Sequence, residues 1–292
     1  MRVVSFEQPP PSLHRPVLVA AFKGWNDAGE AASGAVQMLW DALEAEQFAE
    51  IDPEEFFDFQ VTRPTVQTAK GGARTIEWPD NRFAWAELPG ADRHVVLLDG
   101  TEPNLRWRTF AEGIADLALT LDVEMVLTVG ALQVDVPHTR PVPVTGSAGD
   151  TQLASRLGLS RSTYEGPTGM TGVLHQACVE AGIDTVSLWG GVPHYLSGTP
   201  YLSATLSLTE RILRVLDAEV PLDELARDAA SQVDDIGALL AEDEDLAEYV
   251  AELEDRFAAG GDEDETTLPA ATMSGEELAE EFQRYLRDRG GH

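Results

Sequence analysis

This sequence has a single cysteine, only two lysines and no long apolar run, and each shortage excludes something. With Cys178 alone, neither an intramolecular disulfide nor a cysteine-based zinc site can form, which fits a reducing compartment. Lys23 and Lys70 are the only lysines, and the remaining bases are arginines. No stretch approaches the roughly 18 consecutive apolar residues of a membrane span, and Pro9, Pro10 and Pro11 interrupt the start of the chain where a secretory segment would need an apolar core. A soluble, cytoplasmic protein is expected. Motifs that carry chemistry are missing as well: there is no GxGxxG, GxxxxGK[ST], HExxH or GxSxG. That leaves no case for a nucleotide-driven motor or an ordinary dehydrogenase, and neither a cofactor nor a metal is expected.

What is abundant is acid. The 292 residues carry 51 Asp and Glu against 20 Lys and Arg, a formal net charge of -31. Repulsion between like charges disfavours nucleic acid and anionic membrane as partners. The acid is unevenly spread. From Asp217 to His292 there are 24 acidic and 5 basic residues, net -19, which leaves -12 for the first 216 residues. Two domains are expected, an α/β domain over 1–216 and an acidic helical domain over 217–292. In the second, helices are predicted at Pro221–Leu240, Asp243–Ala258 and Gly275–Arg287, the last with a capping box at Ser274 and Glu277.

The first 216 residues alternate apolar runs with amphipathic stretches. Val17–Phe22, His94–Leu98, Met125–Val129 and Thr185–Trp189 read as strands buried on both faces. Phe56–Val61 and Phe83–Leu88 read as further strands around a hairpin punctuated by Gly71 and Gly72. Helices are predicted at Ala28–Glu46, Trp107–Leu121, Thr151–Leu157, Gly169–Ala181 and Ser203–Leu216. Such alternation means a mostly parallel sheet with helices on both faces.

In such sheets ligands bind beyond the carboxyl ends of the strands, and the polar residues gather there. Asn26 and Asp27 follow the first buried strand and Glu102 the second. His138 and Arg140 lie beyond the third, His194 follows the fourth, and Glu165 and Thr168 precede a helix start able to hold an anion. These eight residues form a candidate ligand pocket. Arg140 suits a phosphate or carboxylate, Glu102 or Glu165 a hydroxyl, and His138 or His194 proton transfer. Each also has a plain structural reading: Asp27 as a helix cap, Glu102 and Glu165 as loop formers, the histidines as ordinary loop residues, Cys178 as a buried inert thiol.

Several segments together resemble the PAC2 family, the proteasome assembly chaperone 2-like proteins, in its actinobacterial branch. They are Phe22–Gly29 (FKGWNDAG), Gly100–Pro103 (GTEP), Val136–Pro141 (VPHTRP), Tyr164–Gly169 (YEGPTG) and Ser187–Trp189 with Val192–Tyr195 (VPHY). The resemblance implies a three-layer α/β/α sandwich similar to nucleoside phosphorylases with a small helical C-terminal domain, homo-oligomers such as trimers, and a non-catalytic chaperone or adaptor for the 20S proteasome. It also implies docking through a C-terminal hydrophobic-Tyr-any motif. Here Tyr285 stands short of a terminal Gly290-Gly291-His292, so a different interface is expected. The competing reading is a nucleoside- or phosphate-binding protein, or a phosphorylase- or hydrolase-like enzyme working through the loops after the strands.

Overall fold

The computed structural model describes residues 3–68, 72–196, 198–241 and 244–260. Among these residues, ten strands and seven α-helices follow in chain order. The first part runs β1 (Val4–Phe6), β2 (Val17–Lys23), α1 (Ala31–Ala42), β3 (Glu46–Ile51), β4 (Thr65–Thr68), β5 (Arg74–Glu77), β6 (Asn81–Glu87), β7 (His94–Thr101) and α2 (Trp107–Thr120). It continues with β8 (Met125–Val134), β9 (Val144–Ala148), α3 (Thr151–Leu157), α4 (Met170–Glu180), β10 (Asp184–Pro193), α5 (Leu202–Leu216), α6 (Asp223–Leu240) and α7 (Glu244–Gly260).

Eight strands form one sheet in the order β1-β3-β6-β7-β2-β8-β10-β9. Its centre, β7-β2-β8-β10, is parallel, and antiparallel strands close both edges. The central strand β2 shows why helices must cover both faces. Val17, Val19 and Ala21 join one core with Ala32, Val36 and Leu39 of α1 and Ala204, Leu208 and Ile212 of α5. Leu18, Ala20 and Phe22 point the other way and join Phe110 and Ile114 of α2 and Met170, Leu174 and Cys178 of α4. A strand apolar at every position therefore alternates between two cores, and the result is the three-layer arrangement.

Several expected boundaries move, for local reasons. The helix predicted at Ala28–Glu46 is broken at its start, because Gly29 (φ 57°) and Glu30 (φ 49°) are left-handed within a 3-10 turn at Ala28–Glu30 that precedes α1. It also stops at Ala42; Glu44 (φ 49°) turns the chain into β3, a strand whose Phe48, Ala49 and Ile51 are buried. Phe56–Val61 is not a strand. Phe56 and Phe57 are buried from a loop after a 3-10 turn at Pro53–Glu55, and Phe56 meets Phe110 edge-on at 5.2 Å. Strands β1 and β9 carry too few apolar residues to stand out in the sequence. The hairpin is present as the separate pair β4-β5, with Gly71 outside the described residues.

Helix α6 packs along α5, with Ala229 buried. One side chain ties the two firmly: the Gln232 amide accepts from Leu202 N–H at 2.9 Å and donates to the Pro200 carbonyl at 2.7 Å. The predicted helix at Gly275–Arg287, its Ser274/Glu277 cap and Tyr285 lie outside the described residues. No helix among the described residues is long and apolar enough to cross a membrane.

Candidate functional site

Strands β7 and β10 run further than their apolar cores suggested, to Thr101 and Pro193, so the polar residues expected in loops are held at strand ends. They gather in two clusters.

The first lies where the chain leaves β2 and β7 and α4 begins. Gly100 and Thr101 continue the β2–β7 pairing, and Glu102 N–H then bonds the Lys23 carbonyl, which turns the Glu102 side chain across the sheet end. Its carboxylate accepts from Met170 N–H at 2.7 Å and from Trp25 N–H at 3.3 Å. The first of these donors belongs to the opening turn of α4, where unpaired amides and the helix dipole favour negative charge. Burial nevertheless holds the Glu102 carboxyl above its usual range, with the amides of Met170 and Trp25 pulling the other way.

Asn26 stands beside it, buried, its backbone carbonyl accepting from Ala131 N–H of β8 at 2.8 Å and its Oδ1 without a hydrogen-bond partner. Gly169 fits between the two only because it lacks a side chain: a Cβ there would fall 2.1 Å from Asn26 Oδ1 and 2.8 Å from Glu102 Oε1. Asp27 turns away from this cluster. Its carboxylate accepts from Ala32 N–H (2.8 Å), Ser33 N–H (3.1 Å) and Ser33 Oγ–H (2.6 Å), which caps α1 across the 3-10 turn. Burial raises the Asp27 carboxyl above its ordinary range, partly offset by those Ser33 and Ala32 bonds.

The second cluster lies beyond β8 and β10 under the acidic helix α7. Tyr195 Oη accepts from His138 N–H at 2.7 Å and sits 2.8 Å from His138 Nδ1. The amide donates to the hydroxyl oxygen, and the direction of the Oη–Nδ1 bond follows the tautomer of the imidazole. Burial lowers the His138 pKa, against the opposing pull of Glu254, and raises the Tyr195 hydroxyl to about 12.

From α7, Tyr249 packs edge-on against both His194 (5.3 Å) and Tyr195 (6.3 Å). Leu253 is buried, and Glu254 takes Thr139 Oγ–H and the Arg140 guanidinium, the latter at 2.7 Å. Phe257 lies beneath the Arg140 guanidinium. His194 Nδ1 stands 3.3 Å from Asp135. Tyr249, Leu253 and Phe257 recur every four residues, one stripe of an otherwise acidic helix.

The eight predicted residues are thus divided. Asn26 and Glu102 meet, Asp27 caps a helix next to them, and His138, Arg140 and His194 form the second group. The groups connect through Tyr201, whose N–H bonds the Gly29 carbonyl (2.8 Å) and whose Oη donates to the His138 carbonyl (3.4 Å). Thr168 and Glu165 are exposed on the approach to α4, and the amide they were expected to offer an anion is held by Glu102. Sequence reasoning placed a helix at Asp243–Ala258, close to the observed α7, but missed its part in the site and those of Gly169 and Tyr195; the four-residue spacing of Tyr249, Leu253 and Phe257 was the available signal. Cys178 is buried in the α2/α4 core, where desolvation lifts its thiol to about 12, as expected of an inert cysteine.

An open surface groove of about 760 Å³ lies at the opposite end of the sheet, between Pro89–Gly90 and the α5–α6 connection. None of the eight residues lines it. Among the described residues no three His, Cys, Asp or Glu side chains are placed to hold a metal.

Residues 21–240 match the model of the PAC2 family. A PAC2 family protein from Streptomyces avermitilis is 47% identical, with 80% of this chain and 99% of that one covered and a TM-score of 0.74. A proteasome-assembly chaperone homologue from Mycobacterium tuberculosis is also 47% identical over 80% of this chain and 99% of its own, with a TM-score of 0.73. At 17% identity, an archaeal proteasome activator from Pyrococcus furiosus shares the fold, with a TM-score of 0.64 over 82% of this chain and 99% of its own. No curated protein matches the sequence.

Proposed function

The chain belongs to the PAC2 family, and from that premise we propose that it is a non-catalytic protein of the proteasome-assembly-chaperone type, acting on proteasome subunits by surface contact. The observation that carries this reading is Glu102. The place where a phosphorylase-like fold would bind an anion, a helix amino terminus beyond the parallel strands, is occupied by the chain's own carboxylate. A phosphate arriving there would meet negative charge. The one arginine among the candidate residues, Arg140, is already paired with Glu254. Two groups that a phosphate-binding site would use are therefore engaged by partners within the chain.

The Mycobacterium tuberculosis relative, described as a proteasome-assembly chaperone homologue, supports the same direction at 47% identity. The setting is the cytoplasm, where proteasome subunits are assembled. Affinity capture of the full chain from an extract containing 20S proteasome subunits is expected to enrich α or β subunits. Capture that returns neither, under conditions where assembly intermediates are present, overturns the proposal. Thermal denaturation with inorganic phosphate and with nucleosides gives the opposing test, since a ligand bound to the folded state raises the unfolding temperature. A clear rise, abolished by Arg140→Ala, is the result that would restore the small-molecule reading.

A further inference from the structure

Among the described residues, four of the eleven large apolar side chains left on the surface fall within one short excursion. Val61 (70% exposed), Val66 (51%), Ile76 (57%) and Trp78 (48%) all belong to the excursion that carries β4 and β5. This pair is a separate two-stranded sheet, and all eight of its residues are exposed. Among the described residues it has no third strand and no covering helix, and a short hairpin of that kind is marginal in water.

Its register sorts the side chains by face. Val66 stands opposite Ile76 and Thr68 opposite Arg74, all on one side; Thr65 pairs with Glu77 and Gln67 with Thr75 on the other. One face is therefore apolar with a base beside it, and the hairpin's acid points away. Arg63, Lys70 and Arg74 against Glu77 give residues 61–78 a net charge of +2 in a chain of net charge -31.

A complementary surface exists on the same molecule. The sequences of α6 (Asp223–Leu240) and α7 (Glu244–Gly260) contain eleven acids against Arg227 and Arg256, net -9. Leu239 (68%) and Phe257 (45%) are exposed among them. Within one chain both patches stay exposed, so neither covers the other.

We propose that the apolar, cationic face of the β4-β5 hairpin docks on the acidic α6-α7 surface of a second copy of this chain. The contact is head-to-tail: one copy gives its hairpin and receives another on its helices. Such contacts close into a ring when the rotation between copies allows. Burying Val66 and Ile76 against Leu239 removes apolar area from water, and Arg74 facing carboxylates sets the orientation and makes assembly sensitive to salt.

The full-length protein tests this directly. Because Cys178 is buried, an introduced surface cysteine is the only accessible thiol. Mixing Ile76→Cys chains with Leu239→Cys chains and adding a short bis-maleimide should give a cross-linked dimer that neither variant forms alone. In light scattering, the wild type should have a mass that is a multiple of 31.6 kDa and that falls with added salt. The Val66→Glu/Ile76→Glu variant should run as a single chain with an unchanged circular dichroism spectrum. A wild type that stays single at high concentration overturns the proposal, as does an assembly mass that the double substitution leaves intact. Cross-linking of Ile76→Cys chains to one another, a hairpin-to-hairpin contact, overturns it too.

Discussion

Two clusters sit at the same end of the same sheet, yet they are built differently. Around Glu102 the donors are backbone amides, and the fit depends on Gly169 having no side chain. Around His138 the partners are side chains, and half of them arrive on a late helix that meets the domain through Tyr249, Leu253, Glu254 and Phe257. A cluster closed by main chain cannot open without disturbing β2, β7 and α4. One closed by side chains of α7 can open while the sheet stays whole. The first belongs to the stability of the fold, the second to an equilibrium of one helix.

The sharpest way to break this contrast is Glu102→Ala. Loss of two charge-assisted bonds to backbone amides should lower global stability by about 3 kcal/mol. Urea denaturation reads it, and a midpoint equal to that of the parent would mean that the carboxylate contributes nothing net after its burial. Next comes Gly169→Ala, where the new methyl must displace Asn26 or Glu102, at a cost of about 2 kcal/mol. If the variant matches the parent, the close approach of these three residues is not a constraint.

Tyr249→Ala should cost about 1 kcal/mol and act locally. Hydrogen exchange should quicken in α7 and at His138 N–H, with protection in β2 and β8 retained; faster exchange throughout the sheet would place α7 inside the cooperative core.

The smallest effect is a slope. Burial keeps the His138 imidazole below its ordinary pKa, so the unfolded chain takes up a proton at a pH where the folded one does not. Stability is then complete above about pH 6.5 and declines as the pH falls below it. His175, also buried and lowered, adds to the decline. Asp27 and Glu102, raised by burial, work in the opposite sense further into acid, because their folded forms hold protons more readily than the unfolded chain. His138→Gln should flatten the slope near pH 6; an identical slope would assign it to other groups.

Much of the architecture was readable because the central strands are apolar at every position, and that pattern has few other uses. Val17–Phe22 implied two covering layers before any coordinates, and α2, α4 and α5 fell within a residue of their expected ends. Edge elements were hidden by the same logic. Strand β3 opens on Glu46 and exposes Glu50, so its first residue reads as the end of a helix and the rest carries no clear pattern, and the aromatic run at Phe56 reads as a strand although it plugs a core from a loop.

At the site, sequence order gave the residues but not their partners. Nothing in GTEP says that its glutamate faces a helix 68 positions later, and nothing in VPHTRP says that its arginine faces Glu254. Those pairings depend on strand order, which single-strand patterns do not encode.

Gln232 has a consequence in time. It caps the first turn of α5 from the middle of α6, so a growing chain that has made all of α5 still lacks one of the groups that finish it. While the chain is synthesised from its amino end, this corner of the α/β layer stays loose until residue 232 has emerged. The acidic segment thus serves as the last fastening of the domain that precedes it, and chains stopped short of that residue should be cut by proteases near Pro200 while longer ones resist.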